Sequence, residues 1–307
     1  MTLRIAYVAG YGRSGSTLLD IMLGAAAGAT SLGETGMLWL RHGEDAEACS
    51  CGARLRDCPV WAPVVAGVES GEAIARDRAA HRREGWFRGF FAPRRAAVED
   101  RYGRAWAQVF ATLAQAHGTP LLIDSSKTAY RYFWRPSALA RDAGADVRVL
   151  HLVRDPRAVV LSCMKGQNSR LAVGDESVRP AAWAIALVGW LVANLGAALN
   201  ARRLGRPRLL VQYERLVAAP GEELARIGRF LDADFAEVAE RLQRAEPLPV
   251  GHLVAGNRMA RRGVVLPAPQ PPVERLPSRL AEFACRWFAV PIHARLLAGA
   301  AQDAEGQ

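Results

Sequence analysis

The run Gly10-Tyr11-Gly12-Arg13-Ser14-Gly15-Ser16-Thr17 puts three glycines, a cation and small hydroxyl residues into eight positions. It follows a strand-like run, Leu3 to Ala9, and precedes the helical apolar pattern Leu18, Leu19, Ile21, Met22, Leu23. A strand, loop and helix in that order turn backbone N–H groups and a helix N-terminus toward an anion. Glycine allows the backbone to approach the ligand closely. A nucleoside triphosphatase would carry lysine at position 16, reaching the outer phosphates, before a magnesium-holding hydroxyl. Position 16 is serine here and the cation has moved to Arg13. That weakens a reading as an ATP or GTP hydrolase and leaves the anion cradle intact.

Three further groups could act with the loop. Arg154 ends the apolar run Val147 to Val153, and Ser162 lies eight residues later, two helical turns on. Arginine suits a bidentate grip on a phosphate monoester and serine adds a donor, although Arg154-Asp155-Pro156 also reads as a helix-capping turn. Lys127 follows Asp124-Ser125-Ser126 at a strand's carboxyl end, where it is a candidate cation for a second anionic group. Glu34 in Leu32-Gly33-Glu34-Thr35 is a candidate general base, and a surface or capping glutamate is its alternative. His42, His117 and His151 are further candidate bases; His151 falls inside a strand and reads as a packed core residue.

These residues need a scaffold of alternating strands and helices. Besides the first unit, strands are predicted at Pro120 to Asp124, Asp146 to Val153 and Pro207 to Tyr213. Helices are predicted at Lys127 to Arg141, interrupted near Pro136, at Pro156 to Lys165, at Ala181 to Leu204 and at Gly221 to Leu231. The pattern predicts an α/β fold, a mainly parallel sheet covered by helices on both faces, with ligands at the strands' carboxyl ends. Residues 35 to 105 form a helical, irregular insertion after the first unit. The stretch 267–272 is too rich in proline for regular structure. No internal repeat is present, and residues 1–307 read as a single domain.

The chain has 307 residues, a formal charge of +10 and a pI near 10, a balance that fits a polyanionic small ligand, nucleic acid or an anionic membrane. Its Ala, Arg and Gly content suggests a bacterial gene. The N-terminus lacks a leader pattern, which points to the cytoplasm. Ala181 to Leu199 is apolar except for Asn194 and long enough to span a bilayer, but it reads as a buried core helix. Five cysteines, three of them at Cys49, Cys51 and Cys58, argue against a disulfide framework. The three are free thiols, one local bridge, or, with His42, ligands of a structural zinc.

Taken together, the chain resembles the sulfotransferases that use 3′-phosphoadenosine 5′-phosphosulfate (PAPS), nearer the carbohydrate, tyrosylprotein and bacterial small-molecule branches than the aryl branch. The resemblance rests on Gly12-Arg13-Ser14-Gly15-Ser16-Thr17-Leu18-Leu19, on Leu152 to Val159 with Ser162, on Tyr213-Glu214-Arg215-Leu216-Val217, and on His252 to Arg258. It implies that Gly12, Arg13, Ser14, Gly15, Ser16 and Thr17 hold the 5′-phosphosulfate and that Arg154 and Ser162 hold the 3′-phosphate. Tyr213 lies near the adenine, and Asn257 and Arg258 belong to a C-terminal donor-binding segment. Glu34 is the implied base, with Arg13 and Lys127 stabilising the transferred group. The implied product is 3′,5′-ADP (PAP), no metal is required, and the acceptor is a small molecule, sugar, lipid or peptide. Two other readings are a P-loop kinase or nucleotide-binding enzyme, and a basic nucleic-acid-binding module using Arg82 to Arg95 with its interleaved aromatics.

Overall fold

The computed structural model describes residues 3–38, 49–68, 96–129, 133–142, 144–166, 182–254, 268–269 and 271–305. Five strands form one parallel sheet: β1 (Arg4–Gly10), β2 (Ala29–Ser31), β3 (Leu121–Asp124), β4 (Asp146–Val153) and β5 (Leu209–Gln212). Their spatial order is β2-β3-β1-β4-β5, and β1 pairs along its length with β4, from Arg4 opposite Asp146 to Gly10 opposite Leu152. The predicted P-loop-type α/β fold, with an insertion after the first βα unit, is therefore what the chain adopts.

The sheet is buried on both faces because its central strands carry apolar side chains on both. Ala6 and Val8 of β1 join a cluster with α1 (Ser16–Gly24) and α8 (Pro220–Leu231), including Leu19, Met22, Leu224 and Ile227. Ile5, Tyr7 and Ala9 point the other way, into a cluster with Trp61, Trp106 and Phe110. Trp61 lies in the insertion, just before α2 (Ala62–Val68), and the other two come from α3 (Ala96–His117), which runs on past the insertion.

Two helical expectations are corrected. The helix expected from Lys127 is seen as α4 (Arg135–Asp142) with Pro136 in its first turn, and Lys127 itself is not helical, with the left-handed φ of 70°. The turn holding Lys127 is anchored by its N–H to the Val8 carbonyl (3.2 Å), so the backbone is committed to the sheet before a helix can start. The long apolar helix, α6 (Ala182–Leu204), packs only one face inward: Trp190, Ala193, Asn194 and Ala197 are buried, while Ile185, Val188 and Leu195 are exposed. By length and hydropathy alone it could cross a membrane, but the face beside the sheet is built from small residues that allow close approach. At Gly196 a Cβ would lie 2.9 Å from the Thr128 carbonyl oxygen.

α5 (Pro156–Met164) and α7 (Tyr213–Ala218) each start directly after a strand, at the same end of the sheet as the glycine loop. The proline-rich stretch is irregular where described. Beyond it α10 (Arg279–Ala284) continues through a π-turn into α11 (Val290–Glu305), helices that the sequence pattern did not suggest. α9 (Ala236–Gln243) completes the layer beside α8.

Candidate functional site

All five strands deliver candidate residues at their carboxyl ends: the glycine loop after β1, Glu34 after β2, Lys127 after β3, Arg154 after β4 and Tyr213 after β5. In a parallel sheet this end faces the helix N-termini, where an anionic ligand is favoured.

The loop is shaped by positive-φ residues. Gly10, Arg13 and Gly15 have φ of 119°, 68° and 95°, and a Cβ on Gly10 would lie 2.3 Å from the Leu152 carbonyl oxygen. Gly15 caps α1 in the left-handed region with the Tyr213 ring against it, 2.3 Å from where a Cβ would stand. Ser14, Ser16 and Thr17 are buried, and Ser14 Oγ has no hydrogen-bond partner.

One side of the loop is lined by Arg154. Its Nη1 donates to the Arg13 carbonyl (3.0 Å) and its guanidinium lies over the Tyr213 ring, 4.3 Å from the centroid. Asp155 takes the capping role, accepting from the N–H groups of Arg157 (2.6 Å) and Ala158 (3.2 Å). Capping thus falls to Asp155, while the neighbouring Arg154 guanidinium lies on the Tyr213 ring. Arg13 donates to the Gly166 carbonyl, which follows α5, and Ser162 lies one turn before that glycine, half-buried.

On the other side Lys127 Nζ lies 2.5 Å from Glu34 Oε1, with both side chains largely screened from solvent. The two residues are fixed from below. Asp124, fully buried, accepts from Thr35 Oγ1 (2.8 Å), from the Ser126 N–H (2.9 Å) and from Arg135 Nε and Nη2 (3.1 and 3.0 Å). Ser126 Oγ in turn accepts from the Gly36 N–H (2.9 Å), and Tyr7 donates its hydroxyl to the Lys127 carbonyl. Glu34 is further placed by Gly33, φ 76°, which bridges to Val254, and by its own N–H to the Val254 carbonyl (2.8 Å).

The structure therefore brings Arg13, Arg154 and Tyr213 together at the loop, and Lys127 with Glu34 beside it. Asn257, Arg258, His42 and Arg82 to Arg95 lie outside the described residues. His151 is buried, bonds Asn194 Oδ1 through Nε2 (2.7 Å), and is pushed down to about 3 by burial, with Arg208's charge adding. It is the packed core residue expected. His117 sits at the end of α3, on the insertion side. Part of the basic excess lies elsewhere: Arg148, Arg202, Arg206, Arg226 and Arg229 line a groove at the amino end of β5, away from the loop.

Sequence reasoning passed over Asp124, Arg135 and Asp20. Asp20 interrupts the apolar run of α1 and is wholly buried, its oxygens accepting from Ser31 Oγ and Ser125 Oγ at 2.7 Å each. Burial, and then the charge of Asp124, push its carboxyl up to about 7 against the two hydroxyl bonds. Unfolded, it ionises near 4, so between about pH 4 and 7 the folded chain holds the extra proton and stability from this group declines as pH rises. His151 acts with the opposite sign over an overlapping range but is common to wild type and variant. In urea unfolding, Asp20→Asn should therefore gain on wild type by about 1 kcal/mol per pH unit from pH 4 to 7. Parallel profiles would show that Asp20 is not held neutral.

The sequence model of the sulfotransferase family matches residues 6–237. No curated protein sequence matches the chain. Among solved structures, the sulfotransferase domain from the curacin biosynthetic pathway is similar at 21% identity, covering 78% of this chain and 77% of that one, TM-score 0.48. The sulfotransferase domain of the Synechococcus PCC 7002 olefin synthase shares 22% identity over 95% and 90%, TM-score 0.44. Sulfotransferase STF9 from Mycobacterium avium shares 14% over 80% and 68%, TM-score 0.45. The family match runs from within β1 through the glycine loop, Glu34, Lys127, Arg154 and Tyr213, and by it the chain belongs to the sulfotransferase family.

Proposed function

We propose that the chain transfers a sulfuryl group from PAPS to a hydroxyl or amine of a small-molecule, sugar, lipid or peptide acceptor, working in the cytoplasm. The observation that carries this reading is the split arrangement around one loop: Arg154 on Tyr213 at one side, and Lys127 with Glu34 at the other. The residues present fit a bisphosphorylated donor. Ser14 Oγ is buried without a partner in the glycine loop, and Arg154 is held on the Tyr213 ring at the loop's edge.

When bound, PAPS supplies an activated sulfuryl group whose S–O bond to the 5′-phosphate breaks as the acceptor oxygen or nitrogen bonds to sulfur, releasing PAP. The chain's residues do the rest. Ser14, Ser16, Thr17 and the loop N–H groups hold the anion. Arg154, with Ser162, grips the 3′-phosphate, and Tyr213 offers a face for the adenine. Arg13 and Lys127 neutralise the charge that grows on the departing oxygen. Glu34 takes the acceptor's proton. Glu34 and Lys127 satisfy each other. An anion that draws Lys127 Nζ toward itself frees the Glu34 carboxylate, so the base becomes available only where there is a group to transfer.

Purified protein should bind PAP and melt at higher temperature with it, since a ligand selective for the folded state stabilises by about 2.7 kcal/mol at a hundred times its Kd. Arg154→Ala should weaken PAP binding about 10- to 100-fold in calorimetric titration, the scale of one lost charge-assisted contact. A folded sample that shows no shift in millimolar PAP would sink the donor assignment. Labelled sulfate transfer from PAPS into extracts then identifies the acceptor.

A further inference from the structure

Away from the loop, four soft ligand atoms converge. Cys49, Cys51, Cys58 and His252 each offer one atom, and all four atoms lie within 4.8 Å of one another. Cys58 Sγ is 3.2 Å and Cys49 Sγ 3.7 Å from His252 Nδ1, and Cys51 Sγ is 3.9 Å from Cys58 Sγ. A tetrahedral ion with Zn–S near 2.3 Å and Zn–N near 2.0 Å sets ligand separations of about 3.8 Å for sulfur pairs and about 3.5 Å for sulfur to nitrogen. The two sulfur-to-nitrogen distances bracket their value, and the Cys51–Cys58 sulfur distance of 3.9 Å lies close to its own. All five cysteines are free thiols, and Cys49 and Cys58 are buried.

The backbone around Cys49 and Cys51 is a tight turn. The Gly52 N–H donates to the Cys49 carbonyl (2.8 Å), Gly52 takes φ of 90°, and the Cys49 N–H returns to the Ala53 carbonyl (2.7 Å). His252 comes from far along the chain and is clamped in place. Its carbonyl accepts from Trp61 Nε1 (2.7 Å), the Leu253 N–H donates to Ser50 Oγ (2.9 Å), and the Ser50 N–H donates to the Leu253 carbonyl (3.1 Å).

We propose that Cys49, Cys51, Cys58 and His252 bind one structural zinc ion that ties the insertion to the segment 251–254. Three thiolates and an imidazole in a tetrahedron select zinc over magnesium or calcium, and four protein ligands leave no open position for catalysis. His252 therefore takes the fourth place that the sequence had offered to His42. The ion's reach extends to the candidate site: two residues on from His252, Val254 bonds Leu32 and Glu34 through its N–H (3.0 Å) and carbonyl (2.8 Å). Zinc thus holds the strand-like contact that positions the Glu34 backbone. The site stands whatever the donor proves to be.

The test is metal analysis of protein purified without chelator or added metal. About one zinc per chain is expected. Replacing it with Co2+ should give the visible absorption of a tetrahedral cobalt thiolate. Cys51 is the exposed ligand, so Cys51→Ser probes ligation with least damage to the core. It should lose zinc to a chelator more readily than wild type, by more than the about 10- to 100-fold of an outer-shell change. Cys163→Ser should retain it. Zinc at background together with no cobalt thiolate band in wild-type protein would overturn the proposal, as would unchanged retention in Cys51→Ser or a disulfide among the three cysteines in freshly isolated protein.

Discussion

Glu34→Gln is expected to lower turnover by about 10²- to 10⁴-fold, the range for removing a positioned general base, while PAP still binds. Glutamine keeps the side chain's length and can still accept from Lys127 Nζ, so the 2.5 Å contact need not be lost. What it loses is the capacity, proposed for Glu34, to take the acceptor's proton. Because the glutamate side chain lies across from Arg154 and Tyr213, the affinity for PAP should change by less than about threefold, the scatter of a remote substitution. The expected signature is a fall in kcat with little change in donor KM. If instead PAP affinity collapses and single-turnover transfer proceeds at the wild-type rate, Glu34 is a binding residue and the base lies elsewhere. Lys127→Met separates the two partners: losing the cation should weaken both donor binding and turnover, since a charge that stabilises the leaving group also attracts the bound anion.

Strand periodicity and glycine placement made much of this site readable before any coordinates. β4 runs over the predicted Asp146–Val153, and β1 is shifted by a single residue, because continuous apolar runs are what a sheet buried on both faces requires. Arg13, Lys127 and Arg154 follow from that, since residues just past a parallel strand converge at one edge, whereas Tyr213 was offered only by the family resemblance. β2 escaped because three residues, Ala29–Ser31, carry no period. The missing start of the helix at Lys127 has a different cause. Local propensity favours helix there, but the N–H groups of Lys127 and Thr128 are taken by the Val8 and Gly10 carbonyls (3.2 Å each), which propensity cannot register. His252 escaped for the plainest reason: its sulfur neighbours lie some two hundred positions away, and only the fold brings them together.

The polar residues beneath the site were the least legible, and they carry the largest predicted loss of stability. Arg135 and Asp124 are 2% and 0% exposed, and the guanidinium also donates to Thr35 Oγ1 (2.7 Å) and lies 3.8 Å from the Trp106 ring centroid. Arg135→Met keeps most of the packing on Trp106 but leaves Asp124 a buried carboxylate without its cation. Removing one partner of such a pair costs about 3–5 kcal/mol. Pairing Arg135→Met with Asp124→Leu removes the stranded charge, so the double variant should be more stable than Arg135→Met alone. Additive losses in urea unfolding would refute the coupling. The functional consequence follows from where Asp124 points. It holds Ser126, and Ser126 holds the Gly36 N–H, so the pair fixes the turns carrying both Lys127 and Glu34. Arg154 and Tyr213 follow β4 and β5, outside that network. In the double variant the stability largely returns but those turns lose their anchor. Transfer should then fall while PAP binding persists, separating the scaffold of the base from the scaffold of the donor.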